Sequence, residues 1–119
     1  MNIGNIGKSG EDKVAAFLRK NGYTVIKRNH QCRFGEIDII ASTKEYIVFV
    51  EVKTRKKGSI VTGAEAVDGY KQKRIMLTAQ DYIAKTNCDL QPRFDVAEVR
   101  AQEINGKVVY NLNYIKNAF

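Results

Sequence analysis

Residues 35–54 read Gly35-Glu36-Ile37-Asp38-Ile39-Ile40-Ala41-Ser42-Thr43-Lys44-Glu45-Tyr46-Ile47-Val48-Phe49-Val50-Glu51-Val52-Lys53-Thr54. Two β-rich runs, Glu36 to Ala41 and Tyr46 to Thr54, flank Ser42-Thr43-Lys44-Glu45, a connection of hairpin length. Side chains alternate faces along a strand, so Glu51 and Lys53 share one face and Val48, Val50 and Val52 the other. In the preceding run Ile37, Ile39 and Ala41 form one set and Glu36, Asp38 and Ile40 the other. With Lys44 and Glu45 as the two turn residues, Asp38 falls directly opposite Glu51. A slip of one residue would set Ile37 and Ile39 beside Glu51 and Lys53, mixing apolar and charged faces, so the pattern excludes it. Like charges opposed at Cβ separations of about 4.5–5.5 Å destabilise a sheet. Lys53 relieves part of that repulsion, and a divalent cation that prefers oxygen ligands, such as Mg²⁺, would relieve more.

Working outward, Lys8 to Lys20 reads as a helix. Ser9 is its cap, Asp12 a short capping-box partner, and Val14, Ala15, Phe17 and Leu18 its apolar stripe. Asn21-Gly22 stops it, and Tyr23 to Arg28 follows as a strand with a polar connection over Gln31 to Gly35. Arg55 to Gly63 reads as a basic, glycine-containing loop. Ala64 to Lys85 is a long helical pattern with Val67, Lys71, Ile75, Thr78, Ala79 and Tyr82 down one stripe, weakened by Gly69 near its start. Arg93 to Arg100 and Lys107 to Leu112 flank Asn105-Gly106, a strong hairpin signal. The order αβββαββ predicts an α/β domain of three layers, with a mixed five-stranded sheet and one helix on each side. Two charges break these stripes: Glu11 lies four residues before Ala15, and Lys71 lies between Val67 and Ile75. A charge on a buried stripe is costly unless paired or coordinating. A sheet face bearing Asp38, Glu51 and Lys53 would supply partners for both.

The chain has 119 residues, 20 Lys+Arg against 13 Asp+Glu, a formal charge of +7, one Pro and no Trp. That length supports one core, so a single domain over residues 1–119 is expected. The charge favours a polyanionic partner. The longest apolar run, Tyr46 to Val50, is strand-sized against the ~20 residues of a membrane span. The N-terminus shows no secretory pattern, and Cys32 and Cys88 read as free thiols, so the expected compartment is the cytoplasm and no membrane partner is expected. Gly4-Asn5-Ile6-Gly7-Lys8-Ser9 has two residues between its glycines where a phosphate-binding loop needs four. His30 and Cys32 cannot assemble four zinc ligands, and His30 reads as a surface residue. Arg93-Phe94-Asp95 reads as strand packing with a salt bridge.

Asp38 followed after a gap by Glu51-Val52-Lys53 resembles the PD-(D/E)xK nuclease motif, with Ile37 where that motif has its proline. Glu11 on a first helix and Lys71 on the following one resemble the archaeal Holliday-junction-resolvase branch. Gly10-Glu11, Gly35-Glu36-Ile37-Asp38, Phe49-Val50-Glu51-Val52-Lys53, Ala66-Val67 with Lys71, and Arg93-Phe94-Asp95 together resemble the bacterial YraN family. The resemblance implies a restriction-endonuclease-like fold and a metal-dependent endonuclease acting on DNA, with branched or structured substrates favoured. It implies that Asp38, Glu51, Glu11 and the Val52 carbonyl ligate Mg²⁺, with Mn²⁺ as a substitute. Lys53 would orient or deprotonate the attacking water, and Lys71 would complete the catalytic set. Arg28, Arg33, Arg55, Lys56, Lys57, Lys73 and Arg74 are the candidate phosphate contacts. A homodimer is expected by analogy with resolvases. The alternatives are a nucleic-acid-binding module without turnover and an RNA-processing nuclease.

Overall fold

The computed structural model describes residues 3–56 and 68–119, with side chains over residues 8–55 and 68–119. Its elements run α1 (Ile3–Lys20), β1 (Thr24–Cys32), β2 (Gly35–Ser42), β3 (Tyr46–Lys56), α2 (Gly69–Thr86), β4 (Gln91–Ile104) and β5 (Lys107–Ile115). The strands lie in the order β1-β2-β3-β4-β5. Neighbours are antiparallel except β3 and β4, which are parallel and joined through α2. This is the expected mixed sheet in a three-layer α/β arrangement.

Each helix covers one face. Val14, Ala15 and Leu18 of α1 pack on Ile39, Ala41, Val48, Val50, Ala97 and Val99. Ile75 and Ala79 of α2 pack on Ile40, Ile47, Phe49 and Val96, with Tyr82 beside them. Alternate residues of β3 thus feed two cores, and truncating one, as in Phe49→Ala, would cost about 3–5 kcal/mol. α1 crosses β3 so closely that a Cβ on Gly10 would sit 2.5 Å from Thr54 Oγ1. Only glycine permits that approach. In the second hairpin Asn105 and Gly106 both take positive φ (52° and 78°), as a two-residue turn of the twist-matched type requires.

Several boundaries differ from the sequence reading. α1 begins at Ile3, so Ser9 lies inside the helix and forms no capping box. Residues 64–67 lie outside the described residues, and α2 starts at Gly69, capped by Asp68, whose Oδ1 accepts the Lys71 amide at 2.9 Å. Gly69 is therefore the first helical residue, where the interior penalty does not apply. β1 extends through the supposed connection to Cys32, closing on Gly35 across Arg33-Phe34. Its polar residues alternate poorly because it is an edge strand, with a register shift between Val25 and Lys27 and a left-handed Asn29 (φ 53°).

That Asn29 matters for the site. The β1–β2 ladder pairs Arg28 with Ile39 and His30 with Ile37, but skips Asn29 and Asp38. Ile39 belongs to the α1-side core and Ile37 to the α2-side core, although the two are only two positions apart. The expected common face for Ile37, Ile39 and Ala41 is therefore wrong. Strand alternation resets at Asp38.

Candidate active site

The β2–β3 register is the expected one, with Ile39 opposite Val50 and Ala41 opposite Val48, but the ladder stops at Ile39–Val50. Asp38 and Glu51, next in line, do not form a cross-strand pair. Asp38 Oδ2 instead accepts the Val52 amide at 2.7 Å. The side chain takes over a donor that the parted ladder would otherwise leave open. Two opposed carboxylates disfavour a continued flat ladder, and the break at Asn29 lets β2 turn away. A cleft of about 650 Å³ opens there, between the β1–β2 hairpin and the start of α2. Asp38, Glu51, Asp68, Tyr70, Lys71 and Arg74 line it.

Glu51 is only 7% exposed. Its Oε1 meets Lys71 Nζ at 2.5 Å and Lys53 Nζ at 3.2 Å. Lys53 comes from the same strand face, as alternation requires. Lys71 comes from the first turn of α2, which Asp68 holds in place. Burial, then the Glu51 charge, pushes Asp38 up to about 7, against the Val52 amide, which pulls it down. Weaker repulsion from Glu11 and Glu36 acts in the same upward direction. Burial and contact with Lys71 bring Lys53 below its ordinary value. Burial pulls on Lys71 too, but its bonds to Glu51 and Lys53 outweigh that and its net direction is upward. Two ammonium groups sharing one carboxylate oxygen cannot both hold their protons equally well, and the more enclosed Lys53 yields first. The cleft thus sets a carboxyl pushed up to about 7 beside a lysine whose proton is held less tightly than usual.

Asp38, Glu51, Lys53 and Lys71 come together as the sequence suggests, with the Val52 backbone beside them. Glu11 lies near enough for its charge to act on Asp38, but it makes its bonds elsewhere. The sequence reading sets it over the same sheet face as Lys71, but α1 covers the opposite face. Glu11 Oε1 accepts from Arg28 Nε at 2.9 Å and from Asn29 at 3.3 Å. Among the described residues, no three carboxylate, histidine or cysteine side chains are gathered for an ion. Arg28 also bonds Asp12 at 2.6 Å, so its guanidinium is already paired with acids of α1 and is not presented to a phosphate. Arg74 lines the cleft, where its Nε donates to the Phe34 carbonyl at 2.9 Å, and Arg33 is exposed at the tip of the β1–β2 hairpin. Lys73 is exposed on α2. Arg55 lies on β3 with a buried Nε that has no partner among the described residues. The side chain of Lys56 and the whole of Lys57 lie outside the described residues.

The sequence reading misses Asp68 and Tyr70. An Asp-Gly step three residues before the lysine is the available signal for the cap, since it marks where a helix starts more sharply than the apolar stripe does. Gly35 behaves as a bend, at φ 153° with Arg74 and Thr78 close by, and Glu36 is an exposed acid beside Gln31. His30 is no surface histidine. Both ring nitrogens are buried without partners among the described residues, the ring stands edge-on to Tyr82 at 5.3 Å, and burial lowers its pKa.

Residues 10–99 match the profile described as uncharacterised protein family UPF0102, a span that includes all the YraN-like motifs. A UPF0102 protein of Caldanaerobacter subterraneus subsp. tengcongensis is 43% identical over 120 residues, covering 100% of this chain and 98% of that protein. One from Clostridium acetobutylicum is 44% identical, covering 95% of this chain and 92% of the relative. One from Caldicellulosiruptor saccharolyticus is 42% identical over the full length of both.

Proposed function

The chain belongs to the UPF0102 family, and from the chemistry of its cleft we propose that it is a metal-dependent phosphodiesterase acting on DNA, branched or structured substrates above all. The observation that carries the reading is the placing of Asp38 next to a buried Glu51 in one cleft, where burial and the Glu51 charge push the Asp38 carboxyl up to about 7. A structural ion pair has no need of the second acid. The motif's likeness to PD-(D/E)xK nucleases and archaeal resolvases supports the same reading.

The donor set fits a hard cation. Asp38 Oδ2 and Glu51 Oε1 already accept protein donors, and the other oxygen of each carboxylate, with the Val52 carbonyl, would hold Mg²⁺ or Mn²⁺. Such an ion would offset the acid repulsion and polarise a phosphoryl oxygen. Lys71 holds Glu51 in place. Lys53, with its lowered proton affinity, orients the attacking water and takes part in its deprotonation. Arg74 in the cleft and Arg33 at the neighbouring hairpin tip hold the flanking phosphates without reading bases.

The test is incubation with branched, flapped, single- and double-stranded DNA and RNA, with Mg²⁺ or Mn²⁺. Metal-dependent cleavage is expected, falling about 10²–10⁴-fold in Lys53→Ala and abolished in Glu51→Ala. A Lys53→Ala protein of ordinary turnover removes the role given to the lysine. A second reading, a binding module without turnover, draws on one observation: Glu11 is engaged by Arg28 and Asn29 rather than turned to Asp38. Inactivity of the wild type on every substrate would select it.

A further inference from the structure

We propose that the mouth of the cleft is a stacking site for an unpaired base, with Tyr70 as its platform, so that the substrate carries an unpaired nucleotide next to the phosphodiester in the site. The proposal rests on the phosphodiesterase reading for its second clause only. Tyr70 is 73% exposed, whereas the other exposed large hydrophobic residues, Ile26, Ile104, Val108 and Val109, lie between 39% and 46%. It lines the cleft immediately before Lys71, the residue that holds Glu51. Its backbone is fixed, because Asp68 accepts the amides of Lys71 through Oδ1 and of Gln72 through its carbonyl, each at 2.9 Å. The ring is therefore exposed on an ordered helical turn.

The surroundings suit a nucleotide. Arg74, one turn along α2, lies over the Tyr70 ring with its guanidinium carbon 5.8 Å from the centroid. The same guanidinium donates to the Phe34 carbonyl, which ties the helix to the tip of the β1–β2 hairpin. There Arg33 stands over the Phe34 ring at 4.7 Å. Aromatic faces interleaved with arginines are the pattern by which single strands are held, bases on rings and phosphates on cations. A paired duplex keeps its base faces inside the stack and offers none to Tyr70. A flap, a junction strand or an extruded base offers one. Stacking of a base on an aromatic ring is worth roughly 5- to 150-fold in affinity. DNA and RNA share that chemistry, and the two sugars are separated by the test.

The experiment measures binding in EDTA, without cleavage, by fluorescence anisotropy. The probes are labelled oligodeoxyuridine, oligouridine and a blunt DNA duplex of the same length, against wild type, Tyr70→Phe, Tyr70→Leu and Tyr70→Ala. Because the side chain is largely exposed, the variants should melt like wild type, and a melt of each checks this. Tyr70→Ala should lose roughly 5- to 150-fold on single strands and little on duplex, Tyr70→Phe should retain binding, and Tyr70→Leu should not restore it. A 2-aminopurine base in the single strand should be quenched by wild type and Tyr70→Phe alone. Equal losses on both probe types, no loss on single strands, or full rescue by leucine overturns the proposal. If no substrate is cut with Mg²⁺ yet the single-strand preference follows Tyr70, the stacking site stands and the phosphodiesterase reading falls. If cleavage is metal-dependent but Tyr70→Ala binds single strands as wild type does, the reverse holds.

Discussion

Two aspartates on inner strands of this sheet are at least half-buried, and they behave in opposite ways. Asp95 on β4, level with Val50 of β3, has no exposed surface. It accepts from Arg93 through Nε and Nη2, from the Tyr114 hydroxyl at 2.6 Å and from the Asn117 amide at 2.9 Å. Arg93 is itself wrapped by the Tyr23 and Tyr46 rings, and its proton affinity rises against that carboxylate. Asp38 on β2 has the Val52 amide and acidic neighbours. Burial of an acid is therefore no sign of function on this sheet. Donor supply separates a closed brace from an open site. Asp95 has donors on both oxygens and is sealed, while Asp38 is short of them and faces a cleft.

The sharpest way to break this comparison is to remove Asp95. Asp95→Ala leaves Arg93 enclosed without its counter-ion, holding only the Tyr23 hydroxyl at 2.6 Å, so urea unfolding should show a loss of about 3–5 kcal/mol. A loss near zero would mean the network is not a brace.

Asp38→Asn should do the opposite. Asp38 ionises near 7 when folded against 3.8 unfolded, so between those values the folded chain keeps the extra proton and stability falls as pH rises. A tenfold change in proton affinity corresponds to about 1.4 kcal/mol. Against that gain stands the weaker hydrogen bond that a neutral amide oxygen accepts from Val52. The metal-free Asn variant should therefore gain on the order of 2 kcal/mol at about pH 8. The gain should shrink as pH falls through 7 and vanish near 4, below which both states are protonated. A gain independent of pH would place its origin outside the ionisation of Asp38.

Arg28→Gln should move stability least. Its pairs with Glu11 and Asp12 are partly exposed, and such pairs are worth about 0.2–1 kcal/mol. The variant sharpens the comparison in another way, because it releases Glu11. Calorimetric titration with Mn²⁺ should then show tighter binding if Glu11 serves as a ligand, and unchanged binding assigns the ion to Asp38 and Glu51 alone.

The element order, the mixed sheet and the β2–β3 register are all legible in the chain, because strand alternation in residues 35–54 and the Asn105-Gly106 turn are strong local signals. Lys53 and Lys71 are legible for the same reason, one by strand period and one by helix period. What escapes is set by backbone features with no periodic trace. The left-handed Asn29 resets alternation in its partner strand and separates Asp38 from Glu51 by one broken rung. The face that a helix covers decides Glu11, and an apolar stripe does not state which face that is. Asp68 and Tyr70 sit at a helix start that the stripe places too early. His30 lies at the same strand switch, which carries it to the α2 side and against Tyr82.

Asp38, short of donors beside a lysine-paired Glu51, is kept for an ion, and thermal melts of wild type and Asp38→Asn, each in EDTA and in millimolar Mg²⁺ or Mn²⁺, probe this without knowledge of the substrate. Wild type should melt lower than the variant in EDTA and rise with metal, while Asp38→Asn should start higher and gain little. An Asp38→Asn protein that melts below wild type in EDTA and gains as much from metal would contradict it.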